Sequence, residues 1–77
     1  MNKENKKKQI AILGSTGSIG TQALQVIEEH PGLYEVYALT ANNKVDLLIA
    51  QARRFQPEAV VIANEDKYDE LKDALSD

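Results

Sequence analysis

Gly14-Ser15-Thr16-Gly17-Ser18-Ile19-Gly20 is the stretch that decides how this chain folds. It follows the apolar run of residues 10–13 and precedes a segment with helical periodicity, so it must turn a strand sharply into a helix. Glycine permits positive φ angles and a close approach to the main chain, and the free N–H groups at a helix start favour an anion. The stretch is therefore typical of a loop that binds phosphate.

Apolar periodicity divides the rest of the chain into alternating strands and helices. Strands are predicted over residues 9–13, 33–40 and 59–63, and helices over residues 18–30, 46–55 and from 65 onward. Short connections between them favour parallel strands joined by right-handed crossovers. The predicted fold class is α/β: the first half of a Rossmann-like doubly wound parallel sheet, β-α-β-α-β-α, with strand order 3-2-1.

The same patterns predict the helix ends and the buried helix faces. We expect a hydroxyl of Thr16 or Ser18 to cap the first helix and Asn64 to cap the last. The residues expected to face the core are Ile19, Ala23, Val26 and Ile27, then Val45, Leu48, Ile49, Ala52 and Phe55, and finally Tyr68, Leu71 and Leu75. The first strand lacks the fourth strand that would flank it in such a fold, and its open edge predicts either a longer chain or pairing with another chain.

Length and charge narrow the classes of protein. The 77 residues make at most one small domain and carry a net charge of −3. Residues 1–8 hold four lysines and one glutamate, a net +3, so residues 9–77 carry −6. We interpret residues 1–8 as a disordered lysine-rich tail and residues 9–77 as the domain.

An acidic domain with few aromatic residues argues against nucleic-acid binding, and no stretch is long enough to span a membrane. The absence of cysteine fits a reducing compartment, so we expect the cytoplasm.

No catalytic or metal-binding residue is predicted in this chain. Its single histidine, His30, falls at a helix end, where it suits the helix dipole better than catalysis. The hydroxyls of the glycine-rich stretch have no nearby base. The acidic pairs at residues 28–29 and 65–66 are neighbours on helices rather than groups that converge on one point.

The spacing Gly14, Gly17, Gly20 differs from the G-x-G-x-x-G fingerprint, but its place between a predicted strand and a predicted helix favours nucleotide binding. A plain turn that lets the helix pack closely on the sheet is the alternative. A P-loop is disfavoured because no Gly-Lys-Ser/Thr occurs.

The loop after the second predicted strand indicates which dinucleotide would bind. No carboxylate stands there to accept hydrogen bonds from a ribose 2′-OH. Asn42, Asn43 and Lys44 instead offer donors and a positive charge that suit a 2′-phosphate, so we favour NADPH over NADH. The same three residues also fit a solvated turn before the next helix.

Three segments carry a resemblance to a known family: Ile12 to Thr21, Val36 to Ala41 and Phe55 to Val61. Together they resemble the start of the 1-deoxy-D-xylulose 5-phosphate reductoisomerase family, for which the heptapeptide at 14–20 is very specific. The resemblance covers residues 9–77 and implies part of an enzyme of non-mevalonate isoprenoid biosynthesis. Such an enzyme isomerises its sugar phosphate and reduces the product with NADPH to 2-C-methyl-D-erythritol 4-phosphate.

The resemblance also implies roles for particular residues. Thr16, Gly17, Ser18 and Ile19 would contact the cofactor phosphates and nearby groups, beside Gly14 and Gly20 of the same motif. The family often has Gly-Lys-Asn where this chain has 42–44, which shifts the lysine by one residue. The family's divalent cation, Mg²⁺ or Mn²⁺, and its substrate phosphate bind segments that this chain lacks, so the chain alone is expected to bind cofactor without catalysis.

Two other functions remain open at this point. One is a different reductase, of the semialdehyde-dehydrogenase or short-chain type, whose glycine loops also begin Gly-x-Thr-Gly. The other is a non-catalytic module that senses a dinucleotide. A homodimer, formed through the open strand edge, is the expected assembly.

Overall fold

The computed structural model describes residues 7–76, and the predicted tail at 1–8 lies mostly outside them. The strands are β1 (Lys8–Ile12), β2 (Tyr34–Ala41) and β3 (Ala59–Ile62). The helices are α1 (Ser18–Glu29), α2 (Val45–Phe55) and α3 (Tyr68–Leu75), and a 3₁₀ turn over Glu65–Lys67 precedes α3. The predicted alternation of strands and helices is confirmed, with most ends within one or two residues and Lys8 already part of β1.

The three strands form one parallel sheet in the order β1-β2-β3, so β2 is central. In the described part of the chain, β1 pairs on one side only. The pairing of β1 with β2 shifts register after Ile10, where Tyr37 has no partner on β1. Because the strands are parallel, all three end at the same edge of the sheet, and the loops that leave this edge lie side by side.

One hydrophobic core joins the sheet to all three helices. Ile12, Leu39 and Ile62 contribute from the strands, while the opposite face of the sheet leaves Tyr37 and Val61 exposed. An ion pair between the exposed side chains of Arg54 and Glu28 links α2 to α1. Within residues 7–76 the helices thus cover one face, and a doubly wound sheet with helices on both faces stays a prediction.

The buried face of α2 is the one predicted, but that of α1 is rotated. Ile19 and Val26 are exposed, whereas Leu24, which the periodicity did not single out, is buried together with Ile27. Gly20, Leu24 and Ile27 follow the i, i+4, i+7 spacing of one helix face, so the close packing at Gly20 fixes which side turns inward. On α3, Leu71 is buried as predicted and Tyr68 is exposed, contrary to expectation.

Asn64 caps the 3₁₀ turn before α3 rather than α3 itself, whose N-cap Lys67 makes no side-chain capping bond, and the start of α1 also differs from prediction. The side chain of Asn64 accepts a hydrogen bond from the Asp66 amide at 2.9 Å, as expected of a cap. The N-cap of α1 is Gly17, which has no side chain to make a capping bond, so the prediction of Thr16 or Ser18 as cap was wrong. Ser18 is already the first residue of the helix, and Thr16 belongs to the preceding turn.

No helix in residues 7–76 combines the length and the apolar composition that crossing a bilayer requires.

Adjacent leucines on α2 provide a matched test of the core. Leu48 is fully buried, while Leu47 is 39% exposed. Leu48→Ala should lower the free energy of unfolding by about 2–5 kcal/mol, because it removes buried methyl groups and leaves a cavity. Leu47→Ala should cost much less in the same urea titration followed by circular dichroism. Equal losses from the two substitutions would contradict this packing.

Candidate functional site

The glycine-rich stretch forms a tight turn between β1 and α1. Gly14 has a φ of 74°, a left-handed conformation that glycine adopts without the steric cost of a side chain. The Gly17 amide donates to the Gly14 carbonyl oxygen at 3.1 Å, which closes the turn. The turn is joined to β2 because the Gly14 amide donates to Thr40 Oγ1 at 3.0 Å and the Ser15 amide donates to the Thr40 carbonyl at 2.8 Å.

Gly20 lets the first turn of α1 pack directly on this backbone. A Cβ atom at position 20 would lie 2.3 Å from the Gly14 carbonyl oxygen and 2.6 Å from Ser15 Cα. No side chain fits at those distances, so glycine is required for the close approach. Gly20 is buried under the turn, and the structure thus gives it a packing role.

The start of α1 leaves its first amides without a side-chain cap. Gly17 is the N-cap, and the first backbone bond of the helix runs from the Thr21 amide to the Gly17 carbonyl at 2.9 Å. The amides before Thr21 have no carbonyl within the helix to bond, and the positive end of the helix dipole is located there. Ile19 is 84% exposed beside this helix start.

The loop between β2 and α2 lies next to the turn and is held by Asn64, which follows β3. The Asn64 amide donates to the Asn42 carbonyl at 3.0 Å, and Asn64 Nδ2 donates to Asn43 Oδ1 at 2.7 Å. Lys44 follows as the N-cap residue of α2, with its side chain exposed. The side-chain oxygen of Asn43 is thus used to shape the loop. The side-chain NH₂ group of Asn43 is left as a donor that a ligand could use.

An open cleft of about 320 Å³ lies between these two loops. Six of the nine residues predicted to bind cofactor line it: Gly14, Thr16, Gly17, Asn42, Asn43 and Lys44. Ser18 and Ile19 lie just outside, at the first turn of α1, and Gly20 is beneath the turn. The lining has the Lys44 ammonium and no carboxylate, so its electrostatic character favours an anion.

Two residues that support the cleft were not predicted from the sequence. Ser15 and Gln51 are buried polar residues that hydrogen bond to each other, and Gln51 lies on α2, 36 positions along the chain. The signal in the sequence is a polar residue within the apolar stripe of α2, three positions after Leu48. Thr40 also shapes the turn, because its hydroxyl oxygen accepts a hydrogen bond from the Gly14 amide.

A family model and close relatives agree on one family. The model for 1-deoxy-D-xylulose 5-phosphate reductoisomerase matches residues 10–77. The Bacteroides fragilis protein of that name is 89% identical over 74 residues, covering 96% of this chain and 19% of the relative. The Bacteroides thetaiotaomicron protein is 85% identical over 75 residues, covering 97% and 19%. The chain therefore spans about a fifth of the length of these relatives.

Solved structures give the same result. The Zymomonas mobilis reductoisomerase in complex with NADPH superposes with a TM-score of 0.88 at 41% identity, over 92% of this chain and 19% of that one. A reductoisomerase in complex with NADPH, fosmidomycin and magnesium superposes with a TM-score of 0.85 at 39% identity, over 90% and 17%. Among residues 7–76, no group of three or more His, Asp or Glu side chains could hold a metal ion.

The close approach at Gly20 predicts a large effect of one methyl group. Gly20→Ala should lower the free energy of unfolding by about 1–3 kcal/mol or more, because the new Cβ meets main-chain atoms that cannot rotate away. Gly32→Ala is the matched control, since a Cβ there meets no atom within 4 Å. Thermal unfolding followed by circular dichroism measures both variants. The described contact would be refuted by a Gly20→Ala protein as stable as the Gly32→Ala protein.

Proposed function

This chain belongs to the 1-deoxy-D-xylulose 5-phosphate reductoisomerase family, and we propose that it forms the part of such an enzyme that binds the phosphate and adenosine groups of NADPH. The observation that carries the proposal is the cleft itself. Two loops that lie about thirty residues apart in the chain meet there and present a lysine, amides and an uncapped helix start. The reductoisomerase structures that the chain superposes on include complexes with NADPH.

The cleft suits the two kinds of phosphate in NADPH. The pyrophosphate would bind the backbone of Gly14 to Ser18, where the glycines carry no side chain and the first amides of α1 have no side-chain cap. The 2′-phosphate would bind Asn42, Asn43 and Lys44, with Lys44 as a charge-assisted donor. Ile19, exposed beside the helix start, would provide an apolar contact for the cofactor. When bound, NADPH supplies the hydride for reduction.

The whole enzyme would isomerise and reduce 1-deoxy-D-xylulose 5-phosphate to 2-C-methyl-D-erythritol 4-phosphate. In this proposal the sugar phosphate and a divalent cation, Mg²⁺ or Mn²⁺, bind segments outside the stretch that this chain matches, and the chain alone is not catalytic. One of the structures it superposes on holds magnesium and fosmidomycin together with NADPH. The names of the relatives do not favour another reductase or a sensing module.

The observed sheet would be the first half of a doubly wound sheet with order 3-2-1, in which further strands follow the open edge of β1 and further helices cover the exposed face at Tyr37 and Val61. The enzyme would be a cytoplasmic homodimer that binds neither nucleic acid nor a membrane. Sedimentation of the whole enzyme as a monomer would contradict the dimer.

Lys44 provides a direct test of the cofactor assignment. The host is a hybrid enzyme, the Bacteroides fragilis relative in which this chain replaces the matching segment of 74 residues. The hybrid should use NADPH with a lower KM than NADH. Lys44→Ala should raise the KM for NADPH about tenfold and leave the KM for NADH nearly unchanged, because only NADPH carries the 2′-phosphate.

Lys72→Ala is the matched control, because Lys72 is an exposed lysine on α3 and does not line the cleft. It should leave both KM values unchanged. The assignment fails if the hybrid shows no preference for NADPH, or if Lys44→Ala and Lys72→Ala have the same effect.

A further inference from the structure

Gln51 is a buried residue whose side-chain amide hydrogen bonds to the glycine-rich turn. It lies on α2 and is 7% exposed, and its partner Ser15 is fully buried. The Ser15 hydroxyl donates to Gln51 Oε1 at 2.7 Å, and Gln51 Nε2 donates to the Ser15 carbonyl oxygen at 2.9 Å. Neither residue lines the cleft. The pair thus connects α2 to the turn at a buried point outside the cleft.

The bond to the Ser15 carbonyl sets the direction of the next amide. The peptide group is planar and trans, as at every bond of the described chain, so its C=O and N–H point in opposite directions. Because the Ser15 carbonyl is held toward Gln51, the N–H of Thr16 in the same peptide group points away from α2. In residues 7–76 that N–H donates to no other backbone group, and Thr16 lines the cleft.

We infer that Gln51 is a positioning residue for cofactor binding: by holding the Ser15 carbonyl, it aims the Thr16 N–H at a cofactor phosphate. The inference rests on the proposed function, since it assigns the anion in the cleft to NADPH. Rotation of this peptide group would turn the N–H away and present a carbonyl oxygen to the phosphate. Gln51 therefore acts on affinity through Ser15 and touches no ligand itself.

The two bonds of Gln51 can be separated by substitution. Ser15→Ala removes the hydroxyl and keeps the amide bond to the carbonyl, so the Thr16 N–H stays in place. Gln51→Met has nearly the same size and removes both bonds. The double variant Ser15→Ala/Gln51→Met also frees the carbonyl but leaves no buried hydroxyl without a partner, which reduces the cost to folding.

The test measures steady-state kinetics in the hybrid enzyme. Gln51→Met and the double variant should each raise the KM for NADPH about tenfold, while kcat and the KM for the sugar phosphate stay within about twofold. Ser15→Ala should raise the KM for NADPH by less than about threefold. Gln25→Ala, an exposed glutamine on α1, is the control and should change nothing. A purely structural role would reduce the yield of folded enzyme and leave the KM for NADPH alone.

The positioning role of Gln51 is overturned if the folded double variant keeps the parent KM for NADPH. It is also overturned if Ser15→Ala raises that KM as much as the double variant does. If Gln51→Met does not fold, the double variant decides alone. A parent hybrid with no NADPH-dependent turnover would overturn the proposed function as well, whereas normal turnover in parent and double variant alike would overturn only the role of Gln51.

Discussion

The close contact between the first turn of α1 and the backbone of Gly14 and Ser15 determines how α1 packs on the sheet. The space between them is too small for a Cβ atom, so it exists only because residue 20 is glycine. The contact brings the start of the helix to the end of β1 and fixes which side of α1 faces the sheet. The position of the cleft and the packing of the core thus have one common cause.

The helix α2 connects that turn to the second loop of the cleft. Its apolar face packs in the core through Leu48 and Ala52, while Gln51 on the same helix holds Ser15. The loop that leads into α2 is held in turn by Asn64, which follows β3. The hydrogen bonds that hold these two loops all join residues within 7–76. Both walls of the cleft are therefore formed by this part of the chain.

Much of this arrangement follows from the sequence, and the parts that do not have identifiable causes. Glycines between an apolar run and a periodic segment were enough to predict the strand, the turn and the helix, and the missing carboxylate after β2 indicated the character of the second loop. The inward face of α1 was not predictable from hydrophobicity, because Ile19 and Val26 are as apolar as Leu24 and Ile27, and backbone contact at Gly20 decides between the two sides. Gln51 was missed because its partner is 36 residues away and only the tertiary structure brings them together.

We propose that the cleft between the glycine-rich turn and residues 42–44 binds the phosphates of NADPH. The most direct measurement is a crystal structure of the hybrid enzyme with NADPH bound. We expect the pyrophosphate to lie against the backbone of Gly14 to Ser18, with the Thr16 N–H as a donor, and the 2′-phosphate to lie within hydrogen-bond distance of Lys44. A cofactor bound elsewhere, or one whose 2′-phosphate lies away from residues 42–44, would contradict it.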